Sequence, residues 1–492
     1  TLDPFLKEGF LPLLETNRGC PFACTFCVWG VAALDKIQQF SIDRVYRDLD
    51  YVTNFGVIFG QLIFVDANFG ILKRDVDIAK YIAKYIRKVY EDTSTFGGIE
   101  IYWSKSAQGH MVDIGRILGH LSNTYIAFQS LDDGVLDVIK RSNISTTKLI
   151  SLISKLKEYT HTTRTDILVG LPGESFDSHL NSLNTALSYG INDILGGEVQ
   201  LLPGSEMNTK ETRKSFKLKT KYRFFEGAAG IYKGETVFEM QEVIRETIDM
   251  TESEMVRLRG LRALFFGGLT LGGLRPLVPY LVNKEIQLTD LLRDVISNGS
   301  NHPVLSKAFE WLGDQISSEW FKTVEEADLF LRDPQNSSNF FSDDMFVKLN
   351  FAFTAYLLIH PEQFDAYYKQ IAIEVCQLLP NESKNIIHEI VKLCQEQSFL
   401  YRALHGDKSF NTSVKLSRPA LEAFKECGYL GSDYPTESEV IDLSLDDVNA
   451  RGILKDLELK NFKPSIFDLT QIMQRYNRRI QLKPLEDIYS VK

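Results

Sequence analysis

Arg18-Gly19-Cys20-Pro21-Phe22-Ala23-Cys24-Thr25-Phe26-Cys27 holds three of the chain's six cysteines at the spacing Cys-x3-Cys-x2-Cys. An ordinary four-iron carrier binds its cluster through four cysteine thiolates. Three thiolates hold three corners of a [4Fe-4S] cluster and leave one iron open to a further ligand. A zinc site is the other reading of close cysteines, and it needs a fourth ligand from elsewhere. Cys376, Cys394 and Cys427 stand alone, without Cys-x2-Cys partners, and read as small buried hydrophobes.

Working outward, the first two hundred residues alternate between strand-like and helix-like segments. Leu11–Thr16 reads as a strand that enters the cysteine loop. Strands follow at Gln61–Val65, Glu100–Trp103, Tyr125–Phe128, Thr165–Val169 and Ile191–Leu202. Between them, helices are expected over Ser41–Phe55, Asp75–Tyr90, Val112–Leu121, Thr146–Tyr159 and Phe176–Tyr189. The second of these spaces Val76, Ala79, Ile82, Ala83 and Ile86 on one helical face. Six strand-then-helix units predict an α/β fold, a partial (β/α)6 TIM-like barrel over residues 1–205, with chemistry at the carboxyl ends of the strands. Residues 206–250 read as a connector, with a basic stretch at Lys210–Arg223 taken as solvated surface. Thr251-Glu252-Ser253-Glu254 has the form of a capping box. It opens a mainly helical region, 251–492, in which Asp333–Ser342 reads as a loop.

The chain has 492 residues, 55 basic and 65 acidic, for a net charge of −10. That balance argues against broad binding to nucleic acid or anionic membranes. The apolar stretch Ala263–Leu274 is too short for a membrane span and reads as core. Six cysteines with three clustered do not form a disulfide framework, so a reducing cytoplasm is expected. The eight histidines show no metal-ligand spacing. His110, His120, His161 and His179 near the strand-helix units read as surface or core-edge residues.

The cysteine triplet, with Phe26 just before its third member, resembles the signature of the radical S-adenosylmethionine (SAM) superfamily. The likeness is specific over residues 1–205 and weaker to about 260. Val65-Asp66-Ala67-Asn68-Phe69-Gly70 is similar to the second-strand end of members associated with cobalamin (vitamin B12), which implies that Asp66 and Asn68 receive the SAM amino group. A polar turn is the plainer reading of the same residues. Phe128-Gln129-Ser130-Leu131 resembles the family's fourth-strand end, implying contacts from Gln129 or Ser130 to SAM. Arg141 would pair with the SAM carboxylate, or simply face a helix dipole. Leu168-Val169-Gly170-Leu171-Pro172-Gly173-Glu174 is similar to the segment that packs on adenine. Leu168 is then the wedge and Gly170 permits close backbone approach, while Glu174 caps the next helix. Gln200-Leu201-Leu202-Pro203-Gly204-Ser205 resembles the sixth-strand segment along the adenine edge, through Gln200 and Leu202.

What the resemblance implies is an enzyme whose catalytic residues are Cys20, Cys24 and Cys27. They would hold a [4Fe-4S] cluster that cleaves SAM reductively to a 5'-deoxyadenosyl radical for C–H activation. Methylation or rearrangement of a small molecule or peptide would follow, with flavodoxin or ferredoxin as reductant. An RNA-modifying enzyme of methylthiotransferase type and a non-catalytic Fe-S or zinc scaffold are the alternatives. The cobalamin-binding domain common in that group is not found before the barrel. No Asp-x-His-x2-Gly motif is present either; the nearest string, Asp177-Ser178-His179-Leu180-Asn181-Ser182, ends in Ser. Cobalamin is therefore expected only with an additional domain, and this chain alone is expected to bind it weakly or not at all.

Overall fold

The structure is a computed structural model that describes residues 2–8, 10–31, 35–54, 61–90, 98–104, 108–122, 124–157, 159, 163–341, 349–426, 440–445, 447–481 and 489–490. His161, Cys427 and the end of the expected loop at Ser342 lie outside them. The chain divides into two compact units. One comprises Thr1–Leu218 with Thr247–Asp249 and Arg478–Lys483; the other comprises Lys219–Glu246, Met250–Asn477 and Pro484–Lys492.

Among the described residues the first unit contains six parallel strands: β1 Leu13–Leu14, β2 Leu62–Phe69, β3 Ile99–Trp103, β4 Thr124–Tyr125, β5 Thr163–Asp166 and β6 Asp193–Leu195. β2 lies between β1 and β3, in register Leu13 with Ile63 and Leu62 with Ile99. β5 lies between β4 and β6, pairing Tyr125 with Arg164 and Arg164 with Asp193. A parallel bridge from Ile99 to Ser122 joins the two halves. Further bridges, Gln129 to Ile167 and Val169 to Glu198, carry the pairing past the formal strand ends.

Side-chain alternation explains this layer. Ile99, Ile101, Trp103, Ile126 and Phe128 are buried, and so are Ile167 and Val169, while Glu100, Tyr102, Arg164, Asp166 and Leu168 at the alternate positions are part-exposed. Helices cover the sheet. In α1, Ile42–Thr53, Ser41 accepts the Arg44 N–H at 3.3 Å as N-cap, and Val45, Leu49 and Val52 form the buried stripe. In α2, Asp75–Tyr90, the buried residues are Ile78, Ala79, Ile82, Ala83 and Ile86. α3 Gln108–Leu118, α4 Asp133–Val138, α5 Thr146–Lys157 and α6 Phe176–Ser188 complete the set. Each fully buried Leu or Ile in these stripes contributes about 1.5–3 kcal/mol of transfer free energy. The partial (β/α)6 barrel is thus present, with β2 reaching four residues further than the sequence pattern suggested.

The second unit opens on a hairpin, Lys219–Tyr232 with Glu235–Glu246. Its two-residue turn, Lys233-Gly234, has φ of 52° and 86°, as a type I′ turn requires. The Lys210–Arg223 stretch is therefore not simply a connector: it is a short helix, Lys210–Ser215, and the start of this strand. Helices follow from Glu252–Gly268 to Ile466–Gln481, together with a small antiparallel sheet of Asn411–Lys415, Val440–Ser444 and Tyr489–Ser490. The Thr251 capping box is present, with Glu254 accepting the Thr251 N–H at 2.8 Å. The apolar stretch after Arg262 is core, and no helix among the described residues is long and apolar enough to cross a membrane. The expected loop at Asp333 is instead a helix, Pro334–Phe341. Asp333 Oδ1 accepts the N–H groups of Gln335 and Asn336 at 2.9 Å, so Asp-Pro here is a cap followed by a first-turn proline.

Candidate active site

The cysteine loop is pinned from both sides. Thr25 N–H donates to Ile139 O (3.1 Å), just past α4, and Met207 N–H donates to Thr25 O (2.8 Å). The Arg74 guanidinium donates to Thr16 O at 2.7 Å and to Phe40 O, holding the entry and exit of the loop together. Gly30 folds back against the loop so closely that a Cβ there would sit 2.6 Å from the carbonyl oxygens of Cys20 and Phe22. Cys20 and Cys24 are buried and Cys27 is half-buried.

Each of the three sulfurs faces an N–H donor. Asn68 Nδ2 lies 3.2 Å from Cys20 Sγ, Arg141 Nη1 4.0 Å from Cys24 Sγ, and the Trp29 backbone N 3.4 Å from Cys27 Sγ. Thiolate is the metal-binding form of cysteine.

Asp66 and Asn68 both lie within β2 and both are buried. Asp66 Oδ1 accepts Thr16 N–H (2.9 Å), Asn17 N–H (2.7 Å) and the Thr16 hydroxyl (3.2 Å). Burial pushes its pKa up to about 6, against the pull of those hydrogen bonds. Its second oxygen, Oδ2, is buried without a partner, and so is Asn68 Oδ1. Asp75 stays beneath them: Oδ2 takes Gly70 N–H (2.8 Å) and Leu72 N–H (3.0 Å), shaping the turn at Gly70, whose φ is 88°.

Beyond β4, Gln129 has φ of 68°, a conformation that costs a non-glycine residue about 1–3 kcal/mol. Its backbone stays in the sheet, donating to Asp166 O at 2.7 Å, while its Oε1 is buried and unpartnered. Ser130 is fully buried, and its Oγ accepts Asp132 N–H at 3.2 Å, so its hydroxyl is held in the turn. Arg141 is buried, with Nε to Phe128 O and to Asn143 Oδ1, both 2.9 Å, and Nη2 to Ala127 O. It clamps the β4 end and turns one edge to Cys24. Burial lowers its pKa; the neighbouring cysteines oppose that.

Leu168 is half-buried, on the same alternation as Arg164 and Asp166. Gly170 and Gly173 have φ of 84° and 86°. Glu174 does not cap α6; Ser175 does, through a capping box with Ser178. Glu174 is instead wholly buried, accepting Gly170 N–H at 2.8 Å, with its other oxygen 3.0 Å from His179 Nδ1. His179, read as a surface or core-edge residue, is fully buried, because it is the partner that Glu174 needs. Gln200 and Leu202 lie past β6, part-exposed; the Leu202 carbonyl receives Ser205 N–H and Oγ at 3.1 and 2.8 Å. Phe26 is half-buried in the cysteine loop.

The structure therefore sets Asn68 against Cys20 and Arg141 against Cys24, and ties Asp66 to Thr16 and Asn17 at the entry of the loop. Sequence reasoning missed Arg74, Gly30 and Trp29. Trp29 meets Tyr102 edge-on at 6.2 Å, and Tyr102 meets Tyr125 at 5.5 Å, an aromatic row from the loop along β3 and β4. Gly30, three residues after the last cysteine, was the one available signal.

Among the described residues no three His, Cys, Asp or Glu side chains are grouped to hold a single metal ion. A four-iron cluster is held otherwise, one thiolate at each iron corner, so its cysteines need not converge on one point. The donor set fits such a group: three cysteines, each facing an N–H, with a buried unpartnered oxygen on the amide that meets Cys20.

With that geometry established, the class is a cysteine-triplet site on a partial barrel. Residues 14–186 match the Radical SAM superfamily, and the chain carries a radical SAM domain. It is 29% identical over 215 residues to the cobalamin-dependent radical SAM methyltransferase TokK of Streptomyces tokunonensis, covering 43% of this chain and 31% of that protein. It is 31% identical over 252 residues to the 2-(S-pantetheinyl)-carbapenam-3-carboxylate methyltransferase of Streptantibioticus cattleyicolor, covering 50% of this chain and 36% of that protein. The matched part spans about a third of the length of these curated relatives. A solved structure of the cobalamin-dependent SAM radical enzyme OxsB, with aqua-cobalamin and SAM bound, aligns over 80% of this chain and 59% of that one, with a TM-score of 0.38 and 11% identity.

Proposed function

We propose that the chain is a radical SAM enzyme in which Cys20, Cys24 and Cys27 hold a [4Fe-4S] cluster and SAM binds beside it. When bound, the cluster supplies the electron that cleaves SAM to methionine and a 5'-deoxyadenosyl radical. The observation that carries this reading is the N–H donor at each of the three sulfurs, and with it three unpartnered buried acceptors at the ends of the neighbouring strands, Asp66 Oδ2, Asn68 Oδ1 and Gln129 Oε1. An ammonium and a ribose carry the donors that such acceptors lack.

The residues then divide the work. Asp66 and Asn68 receive the SAM amino group. Gln129, with Ser130 shaping its turn, faces the ribose. Arg141 holds the β4 end against the cysteine loop and places positive charge beside Cys24. Leu168 packs on adenine, while Glu174 and His179 fix the Gly170 turn along which adenine lies, and Gln200 and Leu202 border its far edge. A flavodoxin- or ferredoxin-like protein delivers the electron.

The named relatives are methyltransferases, which favours methyl transfer to an unactivated carbon of a small molecule or peptide as the reaction. Cobalamin enters this reading through the relatives' names. Hydroxocobalamin retained after desalting would place its site within these 492 residues, and its loss would show that these residues alone do not hold it. The proposed activity is tested by 5'-deoxyadenosine release from the reconstituted, dithionite-reduced protein. SAM-dependent release at more than trace level supports it, and a loaded cluster that releases none contradicts it.

A further inference from the structure

Asn68 touches both halves of the proposed site with opposite ends of one amide. Its Nδ2 lies 3.2 Å from Cys20 Sγ, and its Oδ1 is buried without a partner. The side chain has no freedom to serve these contacts in turn. It is 2% exposed, sits within β2, and is flanked by Asp66, which is tied to Thr16 and Asn17, and by the Gly70 turn, which is tied to Asp75. The other two sulfurs are served by a backbone N–H and by a guanidinium whose remaining nitrogens hold backbone carbonyls. Asn68 thus provides the one neutral side-chain donor among these three contacts and the only one that also presents a free acceptor.

We propose that Asn68 is a positioning residue that links SAM binding to the reduction potential of the cluster. The inference rests on the site reading above. Hydrogen bonds to cluster sulfurs raise the potential by stabilising the added negative charge of the reduced state. An amide whose oxygen receives a cation is polarised, and its N–H becomes a stronger donor. An ammonium on Oδ1 therefore strengthens the Nδ2–H bond to Cys20 Sγ and makes the cluster easier to reduce. By linkage, reduction tightens SAM binding by the same factor. A site that accepts its electron more readily with SAM in place spends fewer electrons in its absence.

The test uses the full chain after anaerobic reconstitution, with the potential read by electron paramagnetic resonance at fixed dithionite poise, with and without SAM. Asn68→Leu removes both contacts. Its SAM-free cluster is expected to show a reduced-to-oxidised ratio about tenfold lower at one potential, a shift of about 59 mV for one electron. SAM is expected to bind at least tenfold more weakly and to move the potential less than in the parent. Asn68→Asp keeps an acceptor and loses the donor: the SAM-free potential falls, while SAM affinity stays within about threefold of the parent. A SAM-free potential unchanged in both variants overturns the donor contact, and equal loss of SAM affinity in both overturns the acceptor contact. If the leucine variant does not load, the aspartate variant carries the potential measurement. The Fe–S stretching bands in D2O then provide a second readout, since the isotope shift from Cys20 is lost with the donor. A parent chain that takes up no iron contradicts the site reading itself, before Asn68 is at issue.

Discussion

Asp66 shows how one buried residue can serve architecture and chemistry at once. One oxygen ties three donors from the entry of the cysteine loop; the other is left dry. Because its folded pKa is raised from 3.8 to about 6, the folded state favours the protonated acid. The contribution of that preference is fully present below about pH 3.8 and is lost as pH rises through about 6. Above pH 6 the buried charge costs the apo chain on the order of 2–3 kcal/mol. Asp66→Asn keeps an oxygen for Thr16 and Asn17 and removes the charge. The variant should therefore unfold at higher denaturant than the parent at pH 7.5, with the difference vanishing near pH 4. In the reconstituted protein the same variant should bind SAM more weakly by about 1.5–3 kcal/mol, the worth of a charged hydrogen bond. Calorimetry at pH 7.5 showing unchanged affinity would remove Asp66 from the SAM site. Gly30→Ala makes a complementary point. Its methyl would press on two carbonyl oxygens at 2.6 Å, so the loop must open, and iron bound per chain should drop well below that of the parent.

At the scale of elements, the Gly170 turn and α6 are held by a buried acid and a buried histidine. Glu174→Ala leaves Gly170 N–H without its acceptor and deprives His179 of one of its contacts, at about 1–3 kcal/mol for each buried group left unpaired. The melting temperature should fall, and SAM affinity with it. Thr251→Ala, which removes a cap in the second unit, should cost about 1 kcal/mol and leave SAM affinity unchanged. Most elements were legible in the sequence because helical periodicity is a local signal: Asp75–Tyr90 emerged with the bounds read from its apolar spacing. The misreadings have local causes too. Asp333-Pro334 looks alike at a turn and at a helix start. The small sheet of Asn411–Lys415 and Val440–Ser444 pairs strands more than twenty residues apart, which no local pattern announces. At the site, spacing marked Cys20, and the family resemblance marked Asp66 and Asn68. They did not reveal that Asn68 meets Cys20 across 48 positions, or that Glu174 and His179 are partners. The first of these comes from the order of strands; the second, five positions apart, comes from the turn that opens α6.

For the whole molecule, the account depends on what the cysteine triplet binds. The parallel strands set Asn68 against Cys20, and Arg141 meets Cys24 just past them, at the carboxyl ends where a barrel of this kind conducts its chemistry. Among the described residues the second unit supplies no further cysteine cluster: Cys376 and Cys394 form no disulfide, and burial raises the pKa of both thiols. The most direct measurement is iron, acid-labile sulfide and zinc per chain after anaerobic reconstitution, for the parent and for four single substitutions. The account predicts about four irons and four sulfides in the parent and in Cys376→Ala, with loss of the cluster in Cys20→Ala, Cys24→Ala and Cys27→Ala. Stoichiometric zinc with no iron, or a cluster that survives loss of any one of the three cysteines, would contradict it.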